Sequence, residues 1–128
     1  MRVLVREPIA EAGIELLRER FDVDVDSNGD LAGRIGDYDA IVIRSATKLT
    51  ADVIDRAERL KVIGRAGVGV DNVDVDAATK KGIVVMNTPG GSNVTTAEHS
   101  IAMLLALARS IPQAAAGVRA GRWERTKW

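Results

Sequence analysis

Apolar and polar positions along this chain switch repeatedly between the period of a strand and that of a helix. Val3-Leu4-Val5 is a short apolar run closed by Arg6-Glu7-Pro8. Pro8 suits a first helical turn, where a missing N–H is no loss. Ile9, Gly13, Ile14 and Leu17 then share one helical stripe, and Glu11, Glu15, Arg18 and Glu19 fall largely away from it. From Phe21 to Val25 apolar and charged residues alternate, as in an edge strand with one wet face. Leu31 and Ile35 allow a short helix between Gly29 and Gly36. Ala40 to Ile43 is apolar on both faces, the mark of a central parallel strand. Thr50 is an N-cap type ahead of a helix that turns Val53, Ile54, Ala57 and Leu60 inward. Val62-Ile63-Gly64 opens another strand. Asp74 caps a helix that ends at Gly82, a residue suited to a left-handed terminus. Ile83 to Met86 reads as a further buried strand.

Thr95 and Glu98 have the spacing of a capping box before a helix from Ala97 to Arg109. That helix is apolar almost all round, so it is either buried on most sides or meets a partner. Pro112 interrupts it, residues 113–121 restart a helix, and Gly121 to Trp128 is a basic, polar tail. Strands alternating with helices predict right-handed crossovers and an α/β, doubly wound, five-stranded parallel sheet in the flavodoxin-like order 2-1-3-4-5. The helix after the fifth strand is expected to lie back over strands one and five. Its other side stays open, which predicts a homodimer. The fold is expected to span residues 1–110, with residues 111–128 as a following segment.

Composition narrows the chemistry. Lys+Arg and Asp+Glu both number 18, so there is no basic excess for a nucleic-acid partner. There is no cysteine, and His99 is the single histidine, so thiol chemistry and Cys- or His-rich metal sites are excluded. No apolar run reaches membrane-spanning length, and the N-terminus enters a strand without a signal-peptide pattern, so a cytoplasmic protein is expected. The only aromatics are Phe21, Tyr38, Trp123 and Trp128, so aliphatic side chains must fill the core.

Ligands of open parallel sheets bind beyond the carboxyl ends of the strands. The residues there are Arg6 and Glu7, then Arg44, Ser45 and Thr47, then Arg65 to Gly69, then Asn87 to Pro89. Two arginines, small hydroxyls and a glycine loop make an anion receiver, because guanidinium forks match carboxylate and phosphate. The alternative is that Arg44 and Arg65 merely pair with Asp39, Asp52 or Asp71. A phosphoacceptor domain is excluded, since Arg44 stands where a cation site needs a carboxylate. A flavin mononucleotide site is excluded by Arg6-Glu7-Pro8 in place of a Ser/Thr/Gly-rich loop. Gly64-Arg65-Ala66-Gly67-Val68-Gly69 is not a dinucleotide fingerprint, because counting from Gly67 the third glycine falls on Asn72. His99 lacks a nearby carboxylate to orient it and is expected to be structural. Gly90-Gly91-Ser92-Asn93 either cradles a phosphate or is a plain strand-to-helix link.

Three segments in order, Ile43-Arg44-Ser45-Ala46-Thr47-Lys48, Gly64 to Asn72, and Val85-Met86-Asn87-Thr88-Pro89 followed by Ala97-Glu98-His99, resemble the D-2-hydroxyacid dehydrogenases. The closest likeness is to the branch that oxidises 3-phosphoglycerate, and Gly121-Arg122-Trp123 fits the same family. The resemblance implies an NAD-dependent oxidoreductase that makes 3-phosphohydroxypyruvate for serine biosynthesis. It implies that this chain is the substrate-binding half, inactive alone, and that residues 111–128 begin the crossover to an NAD-binding domain. It places substrate contacts at Arg44, Ser45, Arg65, Gly67 and Val68, with Val68 also near the nicotinamide end of NAD. The family's catalytic arginine, glutamate and histidine, and its NAD-binding G-x-G-x-x-G, match no residue here, so no catalytic residue, metal or bound cofactor is expected in this chain alone. A free-standing, small-anion-binding or scaffold domain of the same fold is the other expectation.

Overall fold

A computed structural model describes residues Met1 to Lys127; Trp128 lies outside the described residues. Five parallel strands, β1 (Arg2–Val5), β2 (Asp22–Val25), β3 (Ala40–Ile43), β4 (Val62–Arg65) and β5 (Val84–Asn87), pair in the order β2-β1-β3-β4-β5. This is the doubly wound order read from the sequence. Helices α1 (Glu11–Arg18), α2 (Leu31–Arg34), α3 (Ala51–Asp55) and α4 (Val75–Lys80) link the strands, and α2 runs into a 3-10 turn, Ile35–Asp37. The strand order reverses after β2, so right-handed crossovers place α1 on one face and α2, α3 and α4 on the other.

Register explains the core. Leu4, Ile41, Ile63 and Val85 are aligned across four strands and so share one face. With Ile35, Tyr38, Ile54, Ala57 and Ala78 they form the hydrophobic core beneath α2 to α4. The opposite face carries the row Val3, Ala40, Val62 and Val84. Val3 is buried, whereas Val84 is 54% exposed. The strand at residues 83–86 was expected to be buried; at the edge position that the sheet order gives it, Val84 and Met86 are open on that second face. The single tyrosine, Tyr38, is buried with its polar end satisfied. Its hydroxyl donates to Asp24 Oδ2 at 2.8 Å and accepts from Arg34 Nη2 at 2.7 Å.

Several helix ends differ from the sequence expectation. α1 opens at Ala10, whose carbonyl accepts from Gly13 and Ile14, so Pro8 stands before the helix rather than in its first turn. α3 stops at Asp55, and Ala57 and Leu60 are buried from the loop that follows. Lys81 Nζ donates to the carbonyls of Ile54 and Asp55, satisfying the end of this short helix. The Thr50 side chain makes no cap bond. Asp74 does cap α4, accepting from the Ala77 amide at 2.9 Å, and Gly82 beyond it has φ +72°.

The chain divides into two compact units, Met1–Gly91 and a second from Ser92 onward. The division precedes α5 (Asn93–Ala108). The second unit holds α5 and α6 (Ile111–Arg119). α5 starts before the expected Ala97, so Thr95 and Glu98 lie inside it and form no capping box. The Thr95 hydroxyl donates instead to the Ser92 carbonyl at 3.1 Å. No residue of α5 is buried, and Ile101, Met103, Leu104, Leu105 and Leu107 are all exposed. No single helix among the described residues is long and apolar enough to cross a membrane.

Candidate functional site: the carboxyl edge of the sheet

β3 and β4 are neighbours, and Ile43 is aligned with Arg65. Arg65 therefore ends β4 level with Ile43, and Arg44 follows one residue later, so both stand at the carboxyl edge of the sheet. The sheet ladder continues past the strand ends through Arg6 N to Val42 O at 2.9 Å and Ala66 N to Ile43 O at 2.8 Å. These bonds fix where the loops leave the sheet.

Arg44 is exposed, and its Nη1 reaches only the Pro8 carbonyl, at 3.3 Å. Arg65 is half-buried, and its Nε is buried with no hydrogen-bond partner. Neither arginine is ion-paired among the described residues. Asp39 pairs with Arg59 instead, at 3.4 Å. The alternative in which these arginines serve nearby aspartates is therefore not what forms.

Gly67 lies under the Arg65 side chain: a Cβ there would collide with the guanidinium. Its own N–H donates to Arg65 O at 2.9 Å and its carbonyl accepts from Thr88 N at 2.9 Å. So Gly67 admits Arg65 rather than offering a free amide. The Val68 carbonyl accepts from Asn87 Nδ2 at 2.7 Å. No hydrogen bond among the described residues engages the amides of Ser45, Val68 or Gly69. Ser45 and Val68 are exposed. The open groups are two guanidiniums, one serine and three amides, a donor-only set apart from the serine hydroxyl, and that set favours a small anion.

Two residues organise this edge that sequence reasoning left without a role. Glu7 was one of several strand-end residues, and Asn72 was noted as the end of a family-like segment and as the place where a third glycine failed to appear. The Glu7 carboxylate accepts from Arg44 N at 2.9 Å and Thr47 N at 2.8 Å on Oε1, and from Ala46 N at 3.0 Å on Oε2. Partial burial pushes its pKa up, but the amides of Ala46, Thr47 and Arg44 and the Thr47 hydroxyl more than offset this and bring it down to about 2. Asn72 Nδ2 donates to the carbonyls of Arg44 and Thr47, each at 2.6 Å. The one available signal was position: an acidic residue directly after a strand, beside a loop full of unpaired amides.

His99 is exposed on α5. No cluster of three or more His, Cys, Asp or Glu able to hold a metal occurs among the described residues. A hollow of about 550 Å³ lies between α3 and α4 and is lined by Asp52, Asp55, Asp74, Asp76, Lys80 and Lys81 among others. It contains none of the edge residues.

Residues 3–122 match the family model described as D-isomer specific 2-hydroxyacid dehydrogenase, catalytic domain. The chain belongs to this family. It is 53% identical to a D-3-phosphoglycerate dehydrogenase of Archaeoglobus fulgidus, an alignment that covers 100% of this chain and 25% of that protein. It is 54% identical over 102 residues to the human D-3-phosphoglycerate dehydrogenase, covering 80% of this chain and 19% of that one. The NAD+-bound 3-phosphoglycerate dehydrogenase of Entamoeba histolytica superposes with a TM-score of 0.69 at 32% identity, covering 83% of this chain and 38% of that chain. The chain thus spans about a quarter of the length of the curated relatives it matches. The family membership agrees with the resemblance read from the sequence.

Proposed function

We propose that this chain is the substrate-binding half of an NAD-dependent dehydrogenase that oxidises 3-phosphoglycerate at its 2-hydroxyl, the step that feeds serine synthesis. The observation that carries the proposal is that Arg44 and Arg65 both stand at the carboxyl ends of neighbouring strands without an ion pair among the described residues, with open amides at Ser45, Val68 and Gly69. 3-Phosphoglycerate has two anionic ends, and two guanidiniums on neighbouring strands suit it. The Ser45 hydroxyl and amide add neutral bonds that orient the ligand. NAD, when bound, accepts the hydride from C2. The family resemblance puts Val68, which has an exposed side chain and an open amide, at the nicotinamide end. The names of the relatives support the substrate, and the NAD+-bound neighbour supports the cofactor.

Each exposed contact contributes about 0–1 kcal/mol, so affinity in the millimolar range is expected. Calorimetric or NMR titration should show 3-phosphoglycerate binding several-fold tighter than D-glycerate. Equal affinities would contradict phosphate recognition. With NAD and 3-phosphoglycerate both supplied, this chain alone should form no NADH above a blank; measurable NADH would contradict the assignment of a substrate half only.

A further inference from the structure

The anion-binding loop after β3 is short and lacks regular structure, yet its backbone is tied at both kinds of polar group. Three of its N–H groups, on Arg44, Ala46 and Thr47, converge on the one carboxylate of Glu7. Two of its carbonyls, on Arg44 and Thr47, converge on the one amide group of Asn72. The two clamps reach the loop from opposite sides in the strand order, since Glu7 follows β1 and Asn72 lies in the segment after β4. Each clamp is itself anchored. Arg6, next to Glu7, continues the ladder to Val42, and Asn72 lends its own carbonyl to Leu49 N at 2.9 Å.

We propose that Glu7 and Asn72 are the positioning residues of the substrate loop, holding Arg44 and Ser45 in the arrangement that receives the anion. This rests on the function proposed above. Two features favour positioning over plain support. First, Glu7 spends both carboxylate oxygens on backbone amides, and no ion pair joins it to Arg44, so a negative charge next to the site leaves the guanidinium open. Second, with the amides of Arg44, Ala46 and Thr47 already taken, Ser45 keeps the one open amide of the 44–47 stretch. An incoming carboxylate or phosphate is thereby directed to Ser45 and the two arginines. A loop without the clamp would present a concave row of N–H groups, which binds anions in other registers.

The test compares the wild-type chain with Glu7→Gln, Glu7→Asp and Asn72→Ala. Glutamine keeps the size but replaces one acceptor oxygen with a donor, so at least one of the three amides loses its partner. Hydrogen exchange of the amides of Arg44, Ala46 and Thr47 is read first, without ligand, with the β1, β3 and β4 amides as the folding control. These three amides should be protected in the wild type and, in Glu7→Gln, exchange at least ten-fold faster beyond any common acceleration of the strand amides, which reports the loss of global stability. Glu7→Asp should restore part of the protection. Titration with 3-phosphoglycerate should then show about a five- to ten-fold weaker Kd for Glu7→Gln and Asn72→Ala, partly rescued in Glu7→Asp. Fast exchange at these amides in the wild type would overturn the clamp whatever the ligand does. Loss of protection in Glu7→Gln with an unchanged Kd would overturn its positioning role. Protected amides in a wild type that binds no 3-phosphoglycerate would count against the function proposed above and against positioning, and would leave Glu7 as a structural clamp only.

Discussion

Lowering the pH should weaken this fold through Glu7 in a defined window. Its carboxyl titrates near 4.5 when free and near 2 in the folded chain. Between those values the unfolded chain takes up the proton and the folded chain does not, so stability falls as pH falls. The contribution is complete above about pH 4.5 and gone below about pH 2. A shift of that size corresponds to roughly 3 kcal/mol. The carboxylate is partly open to water, which screens it, so about 2 kcal/mol is the better figure. Urea unfolding followed by far-UV circular dichroism, in steps from about pH 7 to about pH 2, measures this against Glu7→Gln. The carboxylates of Asp24, Asp26 and Asp39 are also held low, chiefly by the Tyr38 hydroxyl, the Gly29 amide and the Arg2 amide respectively. They act in wild type and variant alike, so the difference between the two isolates Glu7. That difference should be about 2 kcal/mol at neutral pH and shrink towards zero at the acid end. A difference that stays constant with pH would refute the reasoning, because it would mean that the lost contribution is not carried by the carboxylate charge.

Three further outcomes are expected. Ile63→Ala, at a fully buried position on β4, should cost about 2–5 kcal/mol in urea unfolding; a change below about 1 kcal/mol would mean that the core is not centred on this row. Gly67→Ala should displace the Arg65 guanidinium, weakening 3-phosphoglycerate binding measurably while thermal stability changes by no more than about 0.5 kcal/mol; unchanged binding would remove Arg65 from the site. The exposed apolar residues of α5 should drive concentration-dependent dimerisation, abolished by Leu104→Glu with Leu107→Glu in size-exclusion chromatography with light scattering; a wild-type monomer at high concentration would end that expectation.

The sheet order was legible because strand-period and helix-period segments alternate cleanly, and right-handed crossovers leave few arrangements. The Asp74 cap and the left-handed Gly82 were legible because each rests on one residue type with one local bond. Helix beginnings were less so. Pro8 and the Thr95/Glu98 pair satisfied local rules that the chain does not use, since Ala10 and Ser92 start those helices instead. The burial of β5 was misjudged because an apolar run at a sheet edge does not reveal which of its two faces is covered. At the site, the placement of Arg44 and Arg65 followed from topology alone. The parts played by Glu7 and Asn72 did not, because both depend on contacts between residues 25 to 40 positions apart. Gly67 looked like an amide donor, and only the folded loop shows that its missing side chain is what admits Arg65.

The central claim is that the anion is received where β3 and β4 end. The most direct measurement is a titration of the chain with 3-phosphoglycerate while the backbone amide resonances are followed by NMR. The account predicts that the largest shifts fall on residues 44–47 and 65–69, led by the open amides of Ser45, Val68 and Gly69. Shifts concentrated elsewhere, for example around the hollow between α3 and α4 or on α5, would contradict it.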